Sequence, residues 1–73
     1  MFLFQKIYKT KDDIVVDVAI FEDNSARVIS EVFLGPAVYR TNVCLERKSS
    51  PEDILEAMVS GIAKAREVAA DWN

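Results

Sequence analysis

The chain has 73 residues, 51% hydrophobic and 29% charged, with a formal net charge of −3. That composition is too apolar for a disordered segment and too charged for a membrane span, and the length suits a single domain over residues 1–73. No run reaches the ~20 apolar residues of a spanning helix, and Met-Phe-Leu-Phe is cut short by Gln5 and Lys6 before it can form a signal peptide. The single cysteine, Cys44, excludes an intramolecular disulfide framework, so a cytoplasmic location without membrane attachment is expected.

Phe2 to Tyr8 reads as a first strand, followed by the polar turn Lys9-Thr10-Lys11-Asp12-Asp13. From Ile14 the apolar period is two: Ile14, Val16, Val18 and Ile20 alternate with Val15, Asp17, Ala19 and Phe21, and the β-branched content fits a strand. Glu22-Asp23-Asn24-Ser25 supplies turn chemistry, and Ala26 to Leu34 returns as the second arm of a hairpin. Gly35-Pro36 breaks that strand. Ala37 to about Arg47 forms another, with Ala37, Tyr39, Val43 and Leu45 on one face and Val38, Arg40, Asn42, Cys44 and Glu46 on the other.

Ser49-Ser50-Pro51-Glu52-Asp53 carries the signature of a helix start: a serine cap, proline where its missing N–H costs nothing, and acids at the positive end of the dipole. Ile54, Met58, Ile62, Ala65, Ala69 and Trp72 recur at spacings of three and four, flanked by Leu55, Gly61 and Val68, which predicts a helix from about Pro51 to about Asp71. Gly61 lies inside that stripe, where a missing side chain lets another backbone approach. The predicted fold is therefore α+β, a four-stranded antiparallel meander with one C-terminal helix packed on one sheet face.

Such a sheet normally has one apolar and one polar face. With Ile14, Val16, Val18, Ile20, Val28, Val32 and Leu34 facing the helix, the far face still carries Val15, Ala19, Phe21, Ile29, Phe33 and Val38. Contiguous side chains of that size exceed the roughly 400 Å² apolar patch tolerated on a soluble monomer, so this face is the expected dimer or partner interface. The competing reading is that twist, a bulge or the aromatics Phe2, Phe4 and Tyr8 cover it. Size points the same way, because a domain this small buries only about 60% of the surface its unfolded chain exposes.

Residues 1–48 hold seven Lys/Arg and seven Asp/Glu, whereas residues 49–73 hold two and five, so the net negative charge belongs to the helical segment. Asp53, Glu56, Glu67 and Asp71 fall opposite the apolar stripe and form a second candidate partner surface. Val59, Ala63 and Ala70 flank Arg66 along one edge of the stripe, small enough for a second helix to pack closely.

Catalytic chemistry is poorly supplied. Without histidine there is no Ser-His or Cys-His nucleophile, and the two glycines, Gly35 and Gly61, lie in different elements and make no phosphate loop. Cys44 reads as a small core hydrophobe, and Asp12-Asp13 and Glu22-Asp23-Asn24 read as polar turns rather than metal sites. No enzyme activity, cofactor or metal is expected. Lys6, Lys9, Lys11, Arg27, Arg40, Arg47 and Lys48 lie on the sheet half, with Tyr8, Phe21 and Phe33 as stacking platforms. With four strands and a helix, this resembles in element order alone the transcriptional coactivators that bind single-stranded DNA as dimers. That resemblance implies nucleic-acid binding on the sheet, here through Lys6, Lys9, Arg27 and Arg40. No motif specific to that family is present, and Asp12, Asp13, Asp17, Glu22 and Glu31 offset the cations. The leading expectation is a small non-enzymatic protein-binding domain, an inhibitor, adaptor or regulatory protein such as viral and mobile-element proteins supply, acting as a homodimer. Single-stranded nucleic-acid binding is the alternative.

Overall fold

Alternating β-branched side chains and short polar turns build a meander. The computed structural model describes residues 2–47 and 49–72 and contains β1 (Phe2–Lys9), β2 (Val15–Phe21), β3 (Ala26–Leu34), β4 (Ala37–Leu45) and α1 (Pro51–Asp71). Lys48, counted above among the cations, and the side chain of Phe2 lie outside the described residues. The strands form one antiparallel sheet in the order β1-β2-β3-β4, so β1 and β4 are its edges.

The first two connections share one geometry. Thr10 N–H donates to the Ile14 carbonyl and Phe21 N–H to the Ser25 carbonyl, both at 2.9 Å, closing three-residue loops. The last loop residue in each, Asp13 and Asn24, has positive φ, 65° and 66°. Asp and Asn tolerate that region better than other non-glycine residues. Ile14, expected to open the second strand, belongs instead to this closure and donates its N–H to Thr10 Oγ1 at 3.0 Å. Between β3 and β4 the link is Gly35-Pro36 alone, with Gly35 at φ 66° and Leu34 paired with Ala37. Glycine supplies the positive φ that a two-residue hairpin needs at this point.

At the helix start, Ser50 is the cap: its Oγ accepts from Asp53 N–H at 3.3 Å, and Asp53 Oδ2 accepts from Ser50 N–H at 2.8 Å. This reciprocal box satisfies two donors that the first turn would otherwise leave unpaired. The helix lies across β3 and β4. Under it, Ile14, Val16, Val18, Val28, Val32 and Leu34 form the buried core, joined from the helix by Ala57 and Ala65.

Two sequence expectations are corrected here. The helix stripe is shifted by one edge: Gly61 and Ala65 meet the sheet as expected and Ala57 joins them, Ile54, Met58, Ile62, Val68 and Ala69 are half-buried beside them, but Leu55 and Trp72 are exposed. A flat sheet admits a helix most closely through its smallest side chains, so size rather than hydrophobicity sets the rotation. Of the N-terminal aromatics, Phe4 and Tyr8 do not fold over the far face, and the expectation for Phe2 lies outside the described side chains. Phe4 and Tyr8 lie opposite Ile20 and Val16, on the helix side of the edge strand.

Candidate functional site

The register places Val15, Asp17, Ala19 and Phe21 of β2 on the far face with Arg27, Ile29, Glu31 and Phe33 of β3 and Val38, Arg40, Asn42 and Cys44 of β4. The six apolar residues expected there share that face but do not form one patch. Ala19 is fully buried between its cross-strand neighbours Gln5 and Arg27, while Val15, Phe21 and Ile29 are only partly exposed. Ile29 stands between Asp17 and Asn42. Polar pairs cross the same surface: Gln5 Nε2 donates to Asp17 at 3.2 Å, and Arg40 meets Glu31 at 3.1 Å. Only Phe33 and Val38 stand well out, 61% and 49% exposed and directly opposite each other. Beside them a depression of about 690 Å³ runs around the sheet end, lined by Val15, Phe33, Leu34, Ala69 and Trp72, with Lys9, Asp12 and Asp13 at its rim.

A larger apolar surface lies along β1. Because the helix covers β3 and β4, both sides of the edge strand are open, and Leu3, Phe4, Ile7 and Tyr8 are between 41% and 62% exposed. On the flank of the helix turned toward the β1–β2 loop, Leu55 and Val59 are each 59% exposed. The orientation of that flank is fixed by Arg66, which shares its side of the helix and forms a bidentate pair with Asp12 in the β1–β2 loop, Nε to Oδ2 at 2.7 Å and Nη2 to Oδ1 at 3.0 Å. On the opposite flank, Glu56 and Ser60 line a hollow with Val43 and Leu45 of β4. Sequence reasoning did not single out the β1 surface. Its available signal was apolar residues at successive positions of a terminal strand, which cannot all face one core.

The charged candidates are largely engaged. Asp53 is held in the helix cap, and Glu67 meets Lys64 at 3.6 Å; Glu56 and Asp71 are exposed. The four cations do not converge. Lys6 is on the helix side with its Nζ 5.5 Å from the Tyr8 ring centre, whereas Lys9, Arg27 and Arg40 face the other way. Lys9 meets Asp13 at 3.2 Å, Arg40 meets Glu31, and the Arg27 guanidinium lies 5.6 Å from the centre of the Phe21 ring. Cys44 is exposed on the far face rather than part of the core. The acids of the turns have structural partners: the Arg66 guanidinium, helped by the Thr10 hydroxyl, holds the Asp12 carboxyl well below the usual carboxylate range and raises Arg66 in return. Hydrogen bonds from Ser25 lower Asp23. Among the described residues no group of three or more His, Cys, Asp or Glu side chains is placed to hold a metal ion, and no helix is long and apolar enough to cross a membrane. Comparison with protein-family models, curated proteins and solved structures finds no match.

Proposed function

We propose that this chain is a non-enzymatic protein-binding domain of the inhibitor, adaptor or regulatory type, working as a cytoplasmic homodimer. The observation that carries the reading is the set of exposed large apolar side chains on the two faces of β1, Leu3, Phe4, Ile7 and Tyr8, together with Leu55 and Val59 on the helix flank that carries Arg66. Apolar surface gathered in this way is characteristic of protein interfaces rather than of free monomer surface. A small core supports it too, since the helix buries only Ala57, Gly61 and Ala65 and leaves much of its aliphatic surface outside.

Single-stranded nucleic acid is the less favoured ligand because Lys6 faces away from Lys9, Arg27 and Arg40, and two of those three are neutralised by carboxylates. Sedimentation equilibrium and oligonucleotide anisotropy test the two together. The reading expects a mass of two chains at tens of micromolar and no appreciable binding of single-stranded DNA at physiological salt. A one-chain mass throughout, or a submicromolar affinity that falls steeply with salt as phosphate contacts release counterions, would reverse it.

A further inference from the structure

We propose that the second copy docks antiparallel along β1, joining the two sheets into one eight-stranded sheet with both helices on the same side. The inference rests on the homodimer reading and says which surface forms it, moving self-association from the far face to the edge strand.

An edge strand offers a row of unpaired backbone donors and acceptors, and natural sheets usually blunt such edges with short strands, charge or a covering element. β1 is eight residues long and the helix does not cover it; it carries Lys6 and Lys9 and a register shift between Phe2 and Phe4, but from Phe4 to Lys9 its regular pairing with β2 leaves the outer edge open. Taking about 200 Å² for a fully exposed large side chain, the exposed apolar residues on the helix side, Phe4 and Tyr8 of β1 with Leu55 and Val59 of the helix, present roughly 400 Å² per protomer, about half of the ~800 Å² each partner gives a standard interface, to which pairing of the two strand backbones adds. Phe33 and Val38 on the far face offer roughly half of that by the same measure.

Symmetry and charge select this edge over β4. A two-fold axis perpendicular to the sheet pairs residues of equal parity, so Lys6 and Tyr8 on the helix side meet the same row of the partner, and the helix flanks carrying Leu55 and Val59 lie on that side in both protomers. The same operation at β4 would bring the acidic helix flank, with Glu56 and Glu67, against itself, and like charges there repel. Register follows from the lysines. Pairing centred on Lys6 sets lysine against lysine, whereas pairing centred on Ile7 puts Ile7 opposite the partner's Ile7 and Lys6 opposite the partner's Tyr8, an aromatic ring Lys6 already approaches within one chain.

The test is sedimentation equilibrium on the full chain and on Ile7→Glu, Val59→Glu and Phe33→Glu, with circular dichroism to confirm folding. Ile7→Glu and Val59→Glu should raise the dimer dissociation constant at least about 100-fold, because unpaired charge buried at an interface is costly, and Phe33→Glu should leave it within about threefold. Ile7→Cys in a Cys44→Ser background should give a covalent dimer under mild oxidation, a readout that survives even if a glutamate variant fails to fold. A wild-type dimer that neither cross-links through position 7 nor weakens with Ile7→Glu and Val59→Glu overturns the β1 interface while leaving the homodimer intact. A wild-type monomer at every concentration overturns both.

Discussion

Gly61 and Ser30 meet at the point where helix and sheet approach most closely. A Cβ added at Gly61 would land on Ser30 Oγ, with Ser30 Cβ at 2.9 Å and Thr41 Oγ1 at 3.3 Å. Alanine is worth about 1 kcal/mol more than glycine within a helix, but the overlap outweighs it, since overpacking costs about 1–3 kcal/mol. Gly61→Ala should therefore lower stability in denaturant melts despite its better helix propensity. Ser30 is fully buried and its Oγ has no hydrogen-bond partner among the described residues. Removing an unsatisfied buried hydroxyl is neutral or favourable by up to about 1 kcal/mol, so Ser30→Ala should be no less stable than wild type. The double variant should recover part of the Gly61→Ala loss, and simple additivity would show that the two positions do not share the crowding.

Asp12 and Arg66 make a second residue-level device, tying the β1–β2 loop to the helix. Because the folded carboxyl titrates below its usual value of about 3.9, its contribution is present above that pH and is lost as pH falls toward the depressed folded value. Both partners are about half exposed, so the effect is modest. Thermal melts should show Asp12→Asn below wild type at pH 7, with the gap narrowing below about pH 4. A gap that stays constant down to pH 2 would mean the variant acts through something other than this ion pair.

The helix and the strands differ in how far their sequences reveal them. The cap is one prediction at this level: Ser50→Ala should cost about 1 kcal/mol, as loss of a serine cap does elsewhere, measurable by urea unfolding. Helix bounds were legible because serine, proline and two acids mark its start, and β2 to β4 were legible from period-two β-branched residues and turn chemistry at Asn24 and Gly35. What was not legible is rotation and lateral placement. Periodicity placed Gly61 and Ala65 in the stripe but not Ala57, and contact with the sheet favoured these three small residues, turning Leu55 outward. Which strands the helix would cover depends on its crossing position, which no local pattern encodes, so the open side of β1 could not be read. The far face was assigned correctly, yet its patch was overestimated because Asp17, Glu31 and Arg40 interrupt it through cross-strand pairs that appear only once the register is known.

For the molecule as a whole, neutral and acidic surfaces have different expected roles. Glu56, Glu67 and Asp71 are exposed on the helix flank away from β1, so changing them together to Gln or Asn should leave the melting temperature nearly unchanged, surface substitutions usually staying within about 0.5 kcal/mol each. The same triple change should leave the dimer dissociation constant unaffected and slow only association with a basic partner, chiefly at low salt. Self-association through β1 makes the most direct demand on the backbone, because it converts an open edge into a paired interior strand. Amide hydrogen exchange at two protein concentrations reads that conversion. The β1 interface predicts amides between Gln5 and Lys9 that are protected at tens of micromolar and lose protection on dilution into the nanomolar range, while amides of β4 keep the same rates at both. Concentration-dependent protection in β4, or β1 rates that do not change as the dimer dissociates, would show that the second copy binds elsewhere.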